Sequence, residues 1–503
     1  MVEEIRPDLA AVLKAKAATL DENRAMEVAK QHARGRRTAR ENVADLLDPG
    51  SFVEYGQLAR PLTEGMTGAA DGVVMGTGTV DGQAVAAVAY DYMVYAGTQS
   101  ANNHAKLTRM FELAERHRWP VVVWPDGGGA RPHDMKVSGR KASETFVVFA
   151  RLSGLAPTVG IVSGRAFAGQ ANLAGLCDLL IMTPDASMGM AGPPLVEAAL
   201  GVKYKPEEIG PTAVHVAAGV VDLTAADDAE AVALAKRYLG HFRGRRAPGA
   251  APDVAKLRHL VPENPRRAYN VRRAIEGIAD VGSVLELKPD FGKAAVTALI
   301  HLEGHPVGVI ANQPMVLAGA IDSPASDKTA RFIQLCDAYD IPLLFLADTP
   351  GLMVGPEVEK TALVRHSARV LTALANATVP YMTVVLRKAY GLGYYIMGSD
   401  AMLPSILLAW PTAEFGGMGL EGAASIIYKR ELDAAPDAET RGRLHAEFTS
   451  ELKRYNTALE VAGRFRYDDV IDPADTRAIL ARTFAALPPA PPRSGRKRTI
   501  DPW

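Results

Sequence analysis

Two short stretches of this 503-residue chain place small residues where backbone chemistry would need them. The first, Gly164-Arg165-Ala166-Phe167-Ala168-Gly169-Gln170, follows the apolar run Val159–Val162. The second, Lys388-Ala389-Tyr390-Gly391-Leu392-Gly393, follows Thr383–Leu386. Each reads as a strand, a turn and the start of a helix. Small residues there let backbone N–H groups approach a ligand closely. Two such groups can stabilise an oxyanion such as a thioester enolate. One turn alone is better explained by tight helix–strand packing; the same device in register at two places favours the ligand reading.

Other chemistries lack their residues. Asp126 and Asp348 stand at strand ends, where α/β active sites lie, although a turn-stabilising Asx role is the plainer reading. The turns after them, GGGARP and TPGL, lack the Lys-Ser/Thr ending of a P-loop. Gly127-Gly128-Gly129 has the wrong spacing for a dinucleotide fingerprint, and no G-x-S-x-G elbow occurs. The eleven histidines show no ligand-like pairing, and the isolated His215 and His366 read as structural. Cys177 and Cys336, the only cysteines, lie in apolar runs and read as buried. They exclude a paired-cysteine zinc site and a disulfide framework. Asp134-Met135-Lys136-Val137 has a chance likeness to a biotin-accepting lysine.

The elements that carry these turns repeat. Val80-Asp81-Gly82 and Met93–Gly97 match Leu302-Glu303-Gly304 and Met315–Gly319 at an offset of 222. Residues 157–170 match 380–393 at an offset of 223, and 184–189 match 411–416 at 227. The chain therefore reads as α/β, two tandem copies of one domain. Val121–Trp124, Ile161–Ser163, Leu343–Ala347 and Met382–Leu386 read as strands buried on both faces, and 360–377 as helix. Expected divisions are a helical segment 1–50, domains 51–250 and 251–487, and a mobile tail 488–503 poor in apolar residues. The basic run Arg34-Gly35-Arg36-Arg37 could meet a phosphate, but reads first as a solvated helix end.

Composition sets the class. Hydrophobic residues are 48% and charged residues 22%, as in a globular protein. With 56 basic and 57 acidic residues the formal charge is −1, which argues against nucleic acid or an anionic membrane surface as main partner. No apolar stretch reaches bilayer length and the acidic N-terminus is unlike a signal peptide, so a cytoplasmic protein is expected.

The chain resembles the carboxyltransferase (β) subunits of biotin-dependent acyl-CoA carboxylases, of the propionyl-, acetyl- and methylcrotonyl-CoA type. The likeness rests on QHARGRRTARE (31–41), GVVMGTGTVDGQ (72–83), GGGARP (127–132), NQPMVLAGAID (312–322), DTPGLMVGPE (348–357), RKAYGLG (387–393) and AWPTAEFGGMG (409–419). It implies two crotonase-like (ClpP-like) domains, with acyl-CoA bound mainly on the first and biotin on the second. It implies a homo-hexamer whose active sites join domains of neighbouring subunits. Carboxybiotin would arrive on a separate biotin carboxylase/carrier protein, and no metal would serve the transfer step. By motif matching, the thioester oxyanion hole falls at Gly169 and Gln170, and that for the biotin ureido oxygen at Leu392 and Gly393. Substrate contacts fall at Ala168, Gly128, Gly129, Tyr394 and Tyr395.

Two departures stand out. The family usually has Gly-Gly at 169–170; Gln170 keeps its N–H but is expected to narrow the pocket or donate a bond of its own. Tyr395 replaces an aspartate of the propionyl and acetyl enzymes and suggests another acyl group. Lys141, Arg165 and Lys205 are candidate CoA-phosphate contacts. The alternatives are a biotin-independent crotonase-class acyl-CoA decarboxylase, and a non-catalytic scaffold subunit paired with an active paralogue.

Overall fold

The computed structural model describes residues 5–132, 144–488 and 498–502. The chain divides into two compact units, residues 1–240 with 496–502, and 241–495.

The first unit is built on a seven-stranded sheet. Its strands are β1 (Val53–Glu54), β2 (Val73–Val80), β3 (Gln83–Tyr90), β4 (Val121–Trp124), β5 (Thr158–Val162), β7 (Leu179–Met182) and β9 (Leu223–Thr224), paired in that order. The first three are antiparallel and the rest parallel. A separate parallel pair, β6 (Arg165–Phe167) with β8 (Ser187–Gly189), stands beyond the end of β5. Val121, Val122 and Val123 are fully buried, as strands covered on both faces require. Each such side chain contributes about 1.5–3 kcal/mol. The helix Ala101–His117 covers one face with Leu107, Met110, Phe111 and Ala114. Ser100 caps it by accepting from the Asn103 N–H.

The second unit repeats this plan. Strands β10 (Leu285–Leu287), β11 (Ala295–Leu302), β12 (His305–Asn312), β13 (Leu343–Thr349), β14 (Tyr381–Tyr390), β15 (Leu407–Ala409) and β17 (Asp469–Val470) form one sheet, and β16 (Glu414–Gly416) pairs the end of β14. Here β14 runs unbroken through the positions that, in the first unit, end β5, break at Ser163-Gly164 and restart as β6. The 360–377 stretch folds as the helix Leu363–Asn376.

The repeat also reaches upstream of residue 50, at an offset of 232. Arg40 forks onto Glu54 as Arg272 does onto Glu286. The Asp48 carboxylate accepts from the N–H groups of Asp81 and Gly82, and that of Asp280 from Glu303 and Gly304. A lysine is buried at the same place in each unit. Lys106 Nζ donates to the Ala70 and Val73 carbonyls, and Lys328 Nζ to those of Lys288 and Ala295. Burial pushes Lys106 down to about 8 and Lys328 to about 7.

Of the expected mobile segment 488–503, residues 489–497 and 503 lie outside the described residues. Ile500 is instead buried, and its N–H donates to Ser153 Oγ at 2.9 Å. The stretch 134–137 and Lys141 also lie outside the described residues.

Candidate functional site

In the first unit the helix Gly169–Gly175 begins directly after β6. Ala168 joins them at φ 56° and ψ −118°, a sparsely populated conformation for a residue with a Cβ. Its N–H donates to the Gly189 carbonyl at 2.9 Å. The N–H groups of Gly169 and Gln170 have no backbone acceptor among the described residues, as expected for a first helical turn. A Cβ on Gly169 would lie 2.1 Å from Gln99 Oε1.

Gln170 does not narrow this turn. Its side chain is fully buried and turned inward. Nε2 donates to the Gly97 carbonyl at 2.7 Å, and Oε1 accepts from the Gly129 N–H at 3.0 Å. It thus joins the loop after β4 to the segment after β3. Gly127 must be glycine, because a Cβ there would lie 2.1 Å from Gly97 O and 2.4 Å from Gln170 Nε2. Arg131 anchors the far end of the loop, buried against Asp71 at 2.7 Å. Of the predicted substrate contacts here, Gly128 is exposed and Gly129, at φ 89°, is buried.

In the second unit the helix Gly391–Tyr395 follows β14. Gly391, at φ 55°, takes the position of Ala168. The N–H groups of Leu392 and Gly393 likewise have no backbone acceptor among the described residues. A Cβ on Gly393 would lie 2.6 Å from Gly351 Cα, so the loop after β13 rests directly on it. Leu392 and Tyr395 are about half exposed. Tyr394, expected at the substrate, instead turns into the core and meets Phe415 edge-on at 5.4 Å.

The aspartates at the strand ends bridge to the neighbouring strand rather than closing their own turns. Asp348 is fully buried. It accepts from Arg387 Nε at 3.0 Å and from the Lys388 N–H at 3.1 Å. Arg387 also donates to the carbonyls of Pro265 and Arg267, and its guanidinium lies over the Tyr269 ring. Asp126 accepts from the Gly164 N–H at 3.0 Å. Burial pushes its carboxyl up to about 7 against the opposing pull of Arg36. It lies on a pocket of about 480 Å³ that also takes in Arg34, Arg36, Tyr92, Gly164 and Arg165. The basic run is therefore more than a solvated helix end. Arg36 pairs with Asp185 at 2.8 Å, and Arg34 lies over the Tyr92 ring.

The remaining candidates are structural. His215 Nε2 is 2.8 Å from Met188 O, and His366 faces Asp327. Both cysteines are buried. No three His, Cys, Asp or Glu side chains among the described residues converge to hold a metal ion. No helix among them is long and apolar enough to cross a membrane.

Comparison with known proteins gives this geometry a context. Residues 30–498 match the carboxyl transferase domain family. The chain is 38% identical over 469 residues to the methylmalonyl-CoA carboxyltransferase 12S subunit of Propionibacterium freudenreichii subsp. shermanii, covering 90% of this chain and 89% of that one. Its fold superposes on a single-chain, multi-domain long-chain acyl-CoA carboxylase with a TM-score of 0.90 and 47% identity, over 96% of this chain. This chain spans half the length of that protein. It also superposes on a hexameric transcarboxylase 12S structure with methylmalonyl-CoA bound, with a TM-score of 0.87, 35% identity and 97% of each chain covered.

Proposed function

The chain belongs to the carboxyl transferase family, and on that premise we propose that it is the carboxyltransferase of a biotin-dependent acyl-CoA carboxylase, moving a carboxyl group onto an acyl-CoA. The observation that carries the reading is the pair of equivalent turns, each presenting two adjacent backbone N–H groups without a backbone acceptor among the described residues. Gly169 and Gln170 hold the thioester oxygen as negative charge develops on it during enolisation. Fixed N–H donors act best on charge that appears only in the transition state. Leu392 and Gly393 fit a second, planar carbonyl oxygen of the ureido type. Bound there, carboxybiotin from a separate carrier protein supplies the carboxyl group and, once relieved of it, a base for the α-proton. The chain orients the two reactants and holds both oxygens. A homo-hexamer and a cytoplasmic location belong to the same reading.

The acyl group is read as larger than acetyl or propionyl. Tyr395 stands where those enzymes carry an aspartate, and it is exposed beside the apolar Leu392. The long-chain carboxylase is similar at 47% identity.

Decarboxylation run in reverse tests the reading. Purified protein is given malonyl-, methylmalonyl- and long-chain α-carboxyacyl-CoA, with and without free biotin. Turnover that requires biotin supports it. Equal turnover without biotin shows a decarboxylase, and no turnover with any thioester shows a scaffold subunit.

A further inference from the structure

The end of β14 carries two neighbouring cations, and the two units use these positions differently. The bridge Gly127–Ala166 and the pair Thr349–Ala389 place Gly164 at the position of Arg387 and Arg165 at that of Lys388. Arg387 plugs the space that Gly164 leaves open in the first unit, where the pocket beside Asp126 lies. Arg165 turns to Glu207 at 2.7 Å. Lys388 turns to a different partner. Its Nζ donates to the Ala318 carbonyl at 2.6 Å and stands 3.7 Å from Asp348 Oδ1.

The turn that receives this bond is an unusual one. Leu317, Ala318 and Gly319 follow one another at φ 50°, 53° and 87°. Consecutive left-handed residues with a Cβ are disfavoured and persist only where the surroundings hold them. The first unit has the same turn, at φ 48° in Tyr95, 52° in Ala96 and 64° in Gly97. There the Gln170 amide holds it by the Gly97 carbonyl. The residue matching Gln170 is Gly393, which has no side chain to reach back. Lys388 supplies the missing bond from the preceding strand.

Short steps lead from this turn to the second pair of N–H groups. The Ile321 N–H donates to the Gly351 carbonyl at 3.1 Å, and the Met353 N–H to the Ile321 carbonyl at 2.9 Å. Gly351 is the residue that rests on Gly393. The Lys388 N–H binds Asp348, at the head of the same loop. We propose that Lys388 is a positioning residue for the biotin half of the reaction. Its ammonium holds the left-handed turn 317–319, and through it the loop that sets the Leu392 and Gly393 N–H groups. The inference rests on the carboxyltransferase reading for what binds at those groups. A hydrogen bond from an ammonium is about twice as strong as a neutral one, which suits it to a turn that would otherwise relax. The first unit draws the matching support from Gln170 and not from Arg165, so loss of the lysine weakens one half-site alone.

The test is steady-state decarboxylation of the α-carboxyacyl-CoA that the wild type turns over, with free biotin varied against it. Lys388→Met removes the charge and keeps the length of the side chain. Its kcat/KM for biotin should fall by ~10-fold, the worth of one charged bond, with the KM for the thioester unchanged. Ala318→Gly puts at that position a residue that takes a positive φ freely. In the double variant Ala318→Gly/Lys388→Met the loss should therefore be smaller than in Lys388→Met. Equal losses in the two variants overturn the proposal. So does an unchanged kcat/KM for biotin in Lys388→Met, or a thioester KM that rises in parallel. If Lys388→Met does not fold by circular dichroism, Lys388→Gln is read in its place with the same outcomes. Hydrogen exchange separates this proposal from the reading beneath it. The Gly319 and Ile321 amides, bonded to the Val316 and Gly351 carbonyls, should exchange faster in Lys388→Met. If the wild type lacks biotin-dependent turnover while that loosening is seen, the carboxyltransferase reading falls and the hold of Lys388 on the turn stands. Unchanged exchange overturns that hold.

Discussion

Where the second unit lays the backbone of Gly351 directly on Gly393, the first unit inserts the Gln170 side chain between the corresponding loops. Both arrangements fix a loop behind a pair of backbone N–H groups, but by different means. In the second unit van der Waals contact does it, with no atom to spare at Gly393. In the first unit two hydrogen bonds do it, from a side chain that is itself fully buried. The lesson is that a glycine and a glutamine can serve one architectural end when the facing loop moves to suit. The side chain at the second position of such a turn then reports on support behind the turn, not on the ligand in front of it.

The contrast can be broken from either side. The largest effect on turnover is expected at Gly393. A methyl group in Gly393→Ala would meet the backbone of Gly351 at 2.6 Å, which forces the loop or the turn to shift. Displacements of that order cost about 100-fold in positioned reactions. Biotin-dependent turnover should fall by that factor while coenzyme A binding is kept. Asp348→Asn comes next. It leaves the Arg387 guanidinium buried without its carboxylate, and breaking such a pair costs about 3–5 kcal/mol. Urea denaturation should show the loss as an earlier midpoint.

Gln170→Ala should cost about 3 kcal/mol, because the Gly97 carbonyl and the Gly129 N–H are left buried without partners. Gln170→Glu keeps one acceptor and should recover part of that loss. A variant as stable as wild type would show that the clamp does not support the loop. At Asp126 the comparison with Asp348 sharpens, and the effect is read as a pH dependence. Burial raises its carboxyl to about 7, so the folded chain binds that proton more tightly than the unfolded chain does. Its contribution to stability is complete below about pH 4 and is lost as pH rises through about 7. Asp126→Asn can still accept from Gly164. The stability difference, wild type minus variant, should therefore fall between those two pH values and be flat above. A difference independent of pH would show that the carboxyl titrates normally.

The two turns were legible because Val80-Asp81-Gly82, Met93–Gly97 and the strand–turn stretches keep one offset within a residue. The upstream part of the repeat was not. Between Ser51 and Val80 the first unit holds ten more residues than the second does between Ser283 and Leu302, so the offset changes from 222 to 232. What survives there is one short run, DPGSFVE (48–54) against DVGSVLE (280–286), with its Arg–Glu and Asp–backbone hydrogen bonds, and the changed offset hides it. The inward turn of Gln170 was also hidden, since only the three-dimensional closeness of residues 97, 129 and 170 reveals it. The difference between Gly164 and Arg387 was in plain view in the aligned stretches SGRAFAGQ and LRKAYGLG. Its meaning needed the pocket. Tyr394 misled because motif matching places a residue near a ligand without saying which way its ring points.

The Arg387 plug has a thermodynamic consequence. With its own guanidinium locked against Asp348, the second unit gains nothing there from an added ligand. The first unit, open at Gly164, is stabilised by any occupant in proportion to the logarithm of its concentration over its dissociation constant. A hundredfold excess over that constant adds about 2.7 kcal/mol to the first unit alone. The two halves of one chain would then differ in how long they resist unfolding and proteolysis whenever that pocket is occupied. The duplicated domain would carry one copy whose durability is constant and one whose durability follows the occupancy of its pocket.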